Sequence, residues 1–215
     1  MLKQIAVIGL GRFGENLCRE LTEQGAEVLA IDINSKAVNH IATFVEHAVI
    51  ADITDNHVIE ELGLANYQSV IVSLGTDVGS SILATISLKE AGVSNLWVKS
   101  NSALHTKTLK KVGADHVINP ERLVAKRVCK QLISPHVHDV IDLDGNLVIY
   151  QLNIADTLIN KSISDLKLPN EIRVLSLIRA SELLDVSDIH RPLHLHDILL
   201  LAGTHTQLSS TMHKL

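Results

Sequence analysis

The sequence predicts an α/β protein in which a Rossmann-like, doubly wound parallel sheet is followed by a small α+β domain. Three observations support this prediction. Short aliphatic runs alternate with segments of helical spacing over the first 134 residues, glycines follow the helical segments, and the pattern changes at Ser134-Pro135-His136. Aromatic residues make up only 2% of the 215 residues, so the core must be aliphatic, as is typical of strands buried on both faces.

The first domain is predicted to span residues 1–134. Its strands are expected at Gln4–Ile8, Glu27–Ile31, Glu46–Ala51, Ser69–Leu74, Asn95–Lys99 and Asp115–Ile118. The helices between them are expected to end at Gly25, Gly63, Gly92 and Gly113, because glycine readily adopts the left-handed conformation just past a helix end. A last helix is expected at Pro120–Ile133. Strict alternation of strand and helix implies right-handed crossovers and a parallel sheet.

The second domain is predicted to span residues 135–215. Asp144-Gly145-Asn146 indicates a hairpin turn between two strands. Strands are expected at Asp139–Leu143, Leu147–Ile154, Ile172–Arg179, Leu183–Val186 and Ile198–Ala202, and helices at Ser162–Leu168 and Thr206–His213.

Charge and hydropathy exclude several classes of function. The net charge is −5 and no run of Lys and Arg is long enough to indicate a nucleic-acid or lipid surface, so a nucleic-acid partner is not expected. No stretch of about 18 apolar residues exists, so no membrane span is expected. Met1–Ile8 lacks a signal-peptide layout, and Cys18 and Cys129 are two distant thiols. Together these features predict a protein of the reducing cytoplasm.

One motif carries the chemistry of the first domain. Gly9-Leu10-Gly11-Arg12-Phe13-Gly14 follows the first strand and opens the first helix. In this G-x-G-x-x-G pattern the first glycine makes a tight turn, the second lets the backbone approach a phosphate, and the third lets helix and strand pack closely. Asp32 ends the second strand, where an acid bonds the hydroxyls of an adenosine ribose. The sequence therefore predicts a nucleotide site.

Further candidates lie at the carboxyl ends of other strands, the edge at which open α/β sheets bind ligands. Asp52 and Thr54 follow the third strand, and Leu74, Gly75 and Thr76 follow the fourth. Thr54 and Asp55 equally suit a simple helix N-cap. Arg12, on the phosphate loop, could pair with terminal phosphates or a facing subunit, or lie in solvent.

Glu121 opens the last helix. Its spacing alone favours an acid stabilised by the helix dipole over a carboxylate that holds a cation near phosphates.

No set of catalytic residues accompanies the nucleotide motif. The sequence has no GxxxxGK[ST], and neither tyrosine begins a Tyr-x-x-x-Lys. A nucleotide site without acid–base machinery favours a sensor over an enzyme. An NAD-dependent oxidoreductase is the alternative, and Asp32 would then favour NAD over NADP, because an acid repels a 2′-phosphate.

Several segments resemble the regulatory subunits of bacterial Ktr/Trk potassium uptake systems, which consist of an RCK (TrkA-N) domain and a TrkA-C domain. The resemblance covers essentially the whole chain and is strongest in Ala6–Gly14, Val28–Asn34, His47–Ala51, Asn95–Lys99, Gly113–Asp115 and Asn119–Glu121.

The resemblance implies a cytoplasmic ring, commonly an octamer, that docks on an integral membrane potassium-translocating subunit. It implies binding of ATP or ADP, and in some relatives NAD(H), with ATP and ADP favouring different states. It also implies a divalent cation, Mg²⁺ or Ca²⁺, held with ATP by Glu121. Some relatives bind cyclic di-AMP in the TrkA-C domain, but the pattern Asn170-Glu171-Ile172 with Pro192 is too loose to carry this over.

The resemblance also assigns site residues. Arg12 matches a phosphate-sensing arginine in the glycine loop, which contains Gly9, Gly11, Phe13 and Gly14. The matching ribose and base contacts are Asp32, Ile33, Asn34, Asp52, Ile53, Leu74, Gly75 and Thr76, and the further nucleotide-side positions are Lys99, Ser100, Asn101 and His105.

Overall fold

The computed structural model describes residues 3–75, 77–133, 137–143 and 146–212. The contacts within the chain separate it into two compact units, Met1–Glu121 and Arg122–Leu215.

In the first unit, strands and helices alternate along the chain. The strands are β1 (Gln4–Ile8), β2 (Glu27–Asp32), β3 (His47–Ile50), β4 (Ser69–Val72), β5 (Leu96–Lys99) and β6 (His116–Ile118). The helices are α1 (Arg12–Glu23), α2 (Ser35–Ile41), α3 (Asn56–Glu61), α4 (Val78–Glu90) and α5 (Ala103–Lys111). All six predicted strands are present, within two residues of the expected limits.

The strands form one parallel sheet in the order β3-β2-β1-β4-β5-β6. The chain builds outward from β1 to β3 and then returns to the other side of β1, so the direction of winding reverses between β1 and β4. In such sheets a crevice opens at the carboxyl ends of the two strands that flank this reversal. The predicted doubly wound, Rossmann-like sheet is confirmed.

Both faces of this sheet are buried. Because successive side chains of a strand point to opposite faces, Ala6 and Ile8 belong to one apolar layer and Ile5 and Val7 to the other. Helices cover both layers, which explains why the β1 sequence is apolar without alternation.

The second unit contains an antiparallel sheet. Helix α6 (Pro120–Ile133) is followed by β7 (Val137–Asp142), β8 (Leu147–Asn153), β9 (Arg173–Arg179), β10 (Glu182–Leu184), β11 (Ile198–Thr204) and α7 (His205–Met212). The strand order is β10-β9-β11-β8-β7, and every neighbouring pair is antiparallel. One face carries a core that includes Leu152, Leu177, Leu199, Leu201 and Leu208.

The predicted helix at Ser162–Leu168 is wrong. The structure has only a short 3₁₀ turn at Ser164–Leu166, since the Asp165 carboxylate accepts hydrogen bonds from the backbone N–H and hydroxyl of Ser162 at 2.8 and 2.7 Å. Lys167 then takes a left-handed conformation with φ 46°, and Pro169 cannot continue a helix. The first two residues of the predicted turn at 144–146 lie outside the described residues.

Helix α6 has the predicted limits, but its place differs from the domain boundary drawn at residue 134. The contact-based division falls between Glu121 and Arg122, so nearly all of α6 belongs to the second unit. Its apolar side chains Leu123, Val124, Val128 and Leu132 are exposed. Among the described residues no helix has the length and apolar character needed to cross a membrane.

Candidate nucleotide site

The three glycines of the loop after β1 occupy positions with different structural requirements. Gly9 has φ +89°, and a Cβ there would lie 2.9 Å from the backbone of Ser73. A Cβ on Gly14 would lie 2.0 Å from the carbonyl oxygen of Gly9. Gly11 is different, because its Cβ would meet nothing within 4 Å. The fold therefore requires Gly9 and Gly14, whereas Gly11 faces open space.

That open space lies at the beginning of helix α1. Gly11 is the N-cap residue and provides no side-chain hydrogen bond to the first turn. The first N–H groups of a helix have no partners within the helix and carry the positive end of its dipole. The loop therefore presents N–H donors to a phosphate, which can approach closely because Gly11 has no side chain.

Asp32, at the end of β2, holds this loop in place. One carboxylate oxygen accepts the N–H of Leu10 at 2.6 Å, and the other accepts the N–H of Asn34 at 2.8 Å. A carboxylate has about four acceptor positions, so two remain for ribose hydroxyls. Asp32 thus has a structural role in the glycine loop in addition to its predicted contact with ribose.

A cavity of about 280 Å³ opens at the carboxyl ends of β1 to β4, where the strand order reverses. Its lining contains the predicted site residues Gly9, Asp32, Ile33, Asp52, Ile53, Thr54 and Leu74, together with Ile8, Ala51, Asp77 and Ser80, which were not predicted. Asp77 is the N-cap of α4 and accepts hydrogen bonds from the Ser80 N–H and hydroxyl at 3.0 and 2.7 Å. The Asp-x-x-Ser spacing just after β4 was the signal that would have identified both.

Three carboxylates therefore line the cavity. Hydrogen bonds from the Thr54 hydroxyl and N–H lower the pKa of Asp52, and those from the Ser80 hydroxyl and N–H lower the pKa of Asp77. Both groups are anionic at neutral pH. The carboxylates can accept hydrogen bonds from the hydroxyl and amino groups of a nucleoside. Their negative charge disfavours an additional phosphate beside the ribose.

Positive charge lies instead beside the glycine loop. Arg12 is the first residue of α1 and is exposed. The Lys99 ammonium lies 2.7 Å from a carboxylate oxygen of Glu121 and 5.7 Å from the centre of the Phe13 ring. The pKa of Glu121 is lowered by the hydrogen bond from Lys99, by the backbone N–H of Glu121, and by the positive charges of Lys99 and Arg12. The structure brings these four predicted residues together.

The loop between β5 and α5 contacts the loop that follows β4. The Asn101 amide donates to the carbonyl oxygen of Gly75 at 2.9 Å, and its oxygen lies 3.1 Å from His105 Nδ1. His105 is only 2% exposed, and burial lowers its pKa. Ser100 is fully buried and bonds to Thr106 at 2.8 Å. Asn101 is thus the exposed member of this group, and Ser100 and His105 lie inside. Thr76 lies outside the described residues.

The described residues contain no group of three His, Cys, Asp or Glu side chains that could hold a metal ion. Glu121 is a single carboxylate and already has an ion-pair partner. Since Mg²⁺ and Ca²⁺ take six or more oxygen ligands, a cation at Glu121 needs most of its ligands from phosphate and water. The residues fit a cation that arrives with a nucleotide better than one bound to the chain alone.

Comparisons with known proteins identify the family of the chain. The TrkA-N domain family matches residues 5–120. The chain is 38% identical to the Ktr system potassium uptake protein A of Vibrio alginolyticus, over 99% of this chain and 98% of that protein. It is also 38% identical to the Ktr system potassium uptake protein C of Bacillus subtilis, over 97% and 96% of the two chains.

Solved structures share the fold. A GsuK channel superimposes with a TM-score of 0.69 at 19% identity, and a GsuK channel bound to NAD superimposes with 0.66 at 18% identity. These alignments cover 97% and 99% of this chain but only 38% and 39% of the GsuK chains. The chain thus spans well under half of the GsuK chains that it matches.

Proposed function

The chain belongs to the TrkA-N domain family, and from this premise we propose that it is the nucleotide-sensing regulatory subunit of a Ktr-type potassium uptake system. The observation that carries the proposal is the 38% identity, over nearly the full length of both chains, to a Ktr system potassium uptake protein A. The relatives are named for potassium uptake, which favours a regulatory role over the oxidoreductase alternative. We assign residues 1–134 to the TrkA-N domain and residues 135–215 to a TrkA-C domain, so that helix α6 ends the first domain along the chain although most of it belongs to the second compact unit.

The ligand that suits the site is an adenine nucleotide. The nucleoside occupies the cavity at the carboxyl ends of β1 to β4, with its ribose hydroxyls donating to Asp32. The phosphates lie at the open N-terminus of α1, beside Arg12. ATP and ADP suit this arrangement, and so does NAD(H), whereas NADP would bring a phosphate towards Asp32.

Regulation follows from the number of phosphates. A terminal phosphate reaches Arg12 and a divalent cation that Glu121 helps to hold, whereas ADP is shorter and makes these contacts less completely. A ligand shifts a conformational equilibrium only when it binds the two states unequally. ATP and ADP therefore favour different separations of two neighbouring subunits, in a ring of dimers that we expect to be an octamer.

The partner is an integral membrane potassium-translocating subunit. The ring binds to the cytoplasmic face of this subunit. A change in the separation of the regulatory subunits then changes the conformation of the membrane protein. The regulatory subunit needs no catalytic residues for this task, since the difference in the free energy of binding ATP and ADP is enough to shift its conformation.

The proposal is tested by calorimetric titration of the nucleotide-free protein with ATP, ADP and NADH, with and without Mg²⁺, for the parent and Arg12→Ala. We expect the parent to bind ATP and ADP and Arg12→Ala to lose most of the difference between them. Arg19→Ala is the matched control, because Arg19 lies on the same helix but pairs with Glu15 and Phe44. Equal ATP-to-ADP affinity ratios in parent and Arg12→Ala would contradict the role of Arg12.

The transport role needs a second measurement. The chain and a Ktr membrane subunit from the same genome are expressed in a bacterium without Ktr proteins, and growth at limiting potassium is followed. We expect growth to require both proteins and to fall with Arg12→Ala. Growth that is the same with and without the chain would rule out a regulatory role in potassium uptake.

A further inference from the structure

Lys99 is a mostly buried cation that lies close to Phe13 of the glycine loop and to Glu121. Its side chain is only 14% exposed. A Cβ built on Gly75 would lie 3.4 to 3.6 Å from its Nζ, Cε and Cδ atoms, so the stem packs against the backbone of the β4–α4 loop. The Phe13 ring lies on another side, 5.7 Å from Nζ. These contacts restrict the ammonium to the phosphate end of the site.

An ammonium in such a place needs a counter-charge, because an unpaired buried charge is costly. Among the described residues, the carboxylate within ion-pair distance is Glu121, at 2.7 Å. The Glu121 side chain is 67% exposed, so water and ions reach it easily. The pair therefore joins a confined cation to an accessible anion.

The balance of charge makes cation binding conditional. Arg12, Lys99 and Glu121 together carry one net positive charge. A divalent cation at Glu121 without nucleotide would displace Lys99 from its partner and raise the local charge to three positive units. With a di- or triphosphate present, the displaced ammonium has a phosphate oxygen as its new partner, and the total charge is close to neutral.

We propose that Lys99 couples the binding of a nucleotide to the binding of a divalent cation. Without ligands, the Lys99 ammonium pairs with the Glu121 carboxylate. When a divalent cation binds to Glu121, the ammonium pairs with a nucleotide phosphate instead. This inference rests on the proposed function, since it assumes that nucleotide phosphates lie at the glycine loop. Its consequence is that the protein binds a divalent cation strongly only together with a nucleotide. By reciprocity, each ligand then tightens the binding of the other by the same factor.

The test uses Lys99→Met, which keeps an unbranched stem against Gly75 and Phe13 and removes the charge. Mn²⁺ binding is measured by electron paramagnetic resonance, and ATP binding by calorimetry, each with and without the other ligand. In the parent we expect ATP to tighten Mn²⁺ binding by about tenfold. In Lys99→Met we expect Mn²⁺ to bind the nucleotide-free protein about tenfold more tightly than in the parent, and the coupling factor to fall towards one.

Lys89→Met is the matched control. Lys89 is also a partly buried lysine in an ion pair, 2.9 Å from Asp115, but its partners are the carbonyl oxygen of Val93 and Asp115 rather than groups of the glycine loop. We expect this variant to retain the coupling factor of the parent.

Glu121→Gln provides a second test that does not depend on the folding of Lys99→Met, because Glu121 is mostly exposed. The proposal expects Glu121→Gln to bind ADP severalfold more tightly than the parent in the presence of EDTA, since Lys99 is then free for phosphate and the local charge is more positive. Unchanged or weaker ADP binding in EDTA would overturn it.

The possible failures can be told apart. A parent protein that binds neither ATP nor Mn²⁺ with ATP contradicts the proposed function itself. A parent that binds both, with an unchanged coupling factor in Lys99→Met, contradicts only the role of Lys99.

Discussion

At the scale of single residues, the glycines of the loop after β1 have two different roles: two are required by packing, and one leaves room for a ligand. Gly9 and Gly14 are required because a side chain at either position would collide with backbone atoms. Gly11 has ordinary backbone angles, φ −67° and ψ −175°, and open space around it. Its lack of a side chain therefore serves whatever approaches the N-terminus of α1.

This difference predicts opposite results for two alanine substitutions. Gly14→Ala should lower the free energy of unfolding by about 3 kcal/mol, because the new Cβ overlaps the Gly9 carbonyl oxygen. Gly11→Ala should cost about 1 kcal/mol or less but weaken ADP binding by at least about tenfold, since a methyl group then stands where a phosphate approaches. Urea unfolding and calorimetry measure the two effects, and a Gly14→Ala protein as stable as the parent would contradict the first.

Residue types alone also left the roles of some predicted site residues open. The family resemblance predicts Ser100, Asn101 and His105 as nucleotide-side positions. The structure distinguishes them, because Ser100 and His105 are buried and Asn101 is exposed against Gly75. Burial depends on which helix covers the loop, and no local pattern in the sequence reports that.

At the scale of elements, the strands of the first unit were predictable because each is an aliphatic run bounded by a helix and a glycine. Gly25, Gly63, Gly92 and Gly113 all have positive φ, as expected for residues just past helix ends. The turn at Ser164–Leu166 was not predictable in this way, since the hydrogen bonds that the Asp165 carboxylate accepts from Ser162 compete with the helix that the apolar spacing indicates.

The hairpin between β9 and β10 carries a strained turn. Arg179 pairs with Glu182, so Ala180 and Ser181 form a two-residue loop, and their φ angles are 49° and 66°. Two positive φ angles are typical of a type I′ turn, which favours Asn-Gly. The sequence Ala-Ser gives no hint of this turn, because it contains neither residue.

Replacing both residues should therefore stabilise the second unit. The double variant Ala180→Asn, Ser181→Gly should raise the free energy of unfolding by about 1 kcal/mol, since Asn and Gly adopt positive φ at lower cost. Thermal unfolding measures the change. Ala42→Asn is the control, because Ala42 is exposed with φ −58° and should gain nothing. A double variant no more stable than the parent would argue against a type I′ turn.

At the scale of the whole molecule, the chain has two units with separate cores. The predicted nucleotide-site residues described by the structure belong to the first unit. The second unit has its own partly buried ion pair, in which Arg179 donates to both oxygens of Asp197 at 2.9 and 2.7 Å, and Asp197 is 1% exposed. A change in this pair should therefore alter stability and leave the nucleotide site intact.

Asp197→Asn should lower the free energy of unfolding of the second unit by about 3 kcal/mol, because it leaves Arg179 without its charged partner. ADP affinity should stay within a factor of about two of the parent's, since separate sites behave independently. Calorimetric unfolding and ADP titration test both statements. A large loss of ADP affinity would show that the two units are energetically linked.

The same pair predicts the direction of acid sensitivity. Burial raises the pKa of Asp197, but the hydrogen bonds from Arg179 and His194 and the charge of Arg179 outweigh it and lower the pKa below its ordinary value. The stabilisation is therefore fully present above about pH 4 and is lost as the pH falls through the lower pKa of the folded state. In Asp197→Asn, this acid-dependent part of the unfolding free energy should disappear.

The sequence by itself determined the parallel sheet, the order of strands and helices in the first unit, and the nucleotide motif. These features depend on contacts that are local along the chain: apolar runs, glycines just past helix ends, and a loop that joins one strand to one helix. Only the tertiary structure decided which distant side chains meet. Lys99 and Glu121 lie 2.7 Å apart because β5 and β6 are neighbouring strands and α6 follows β6. Asp77 and Ser80 reach the cavity because β4 lies beside β1. The spacing of residues can indicate a candidate such as Asp77 or Ser80. Which neighbours it meets depends on strand order and helix placement, which are fixed by burial over the whole sheet.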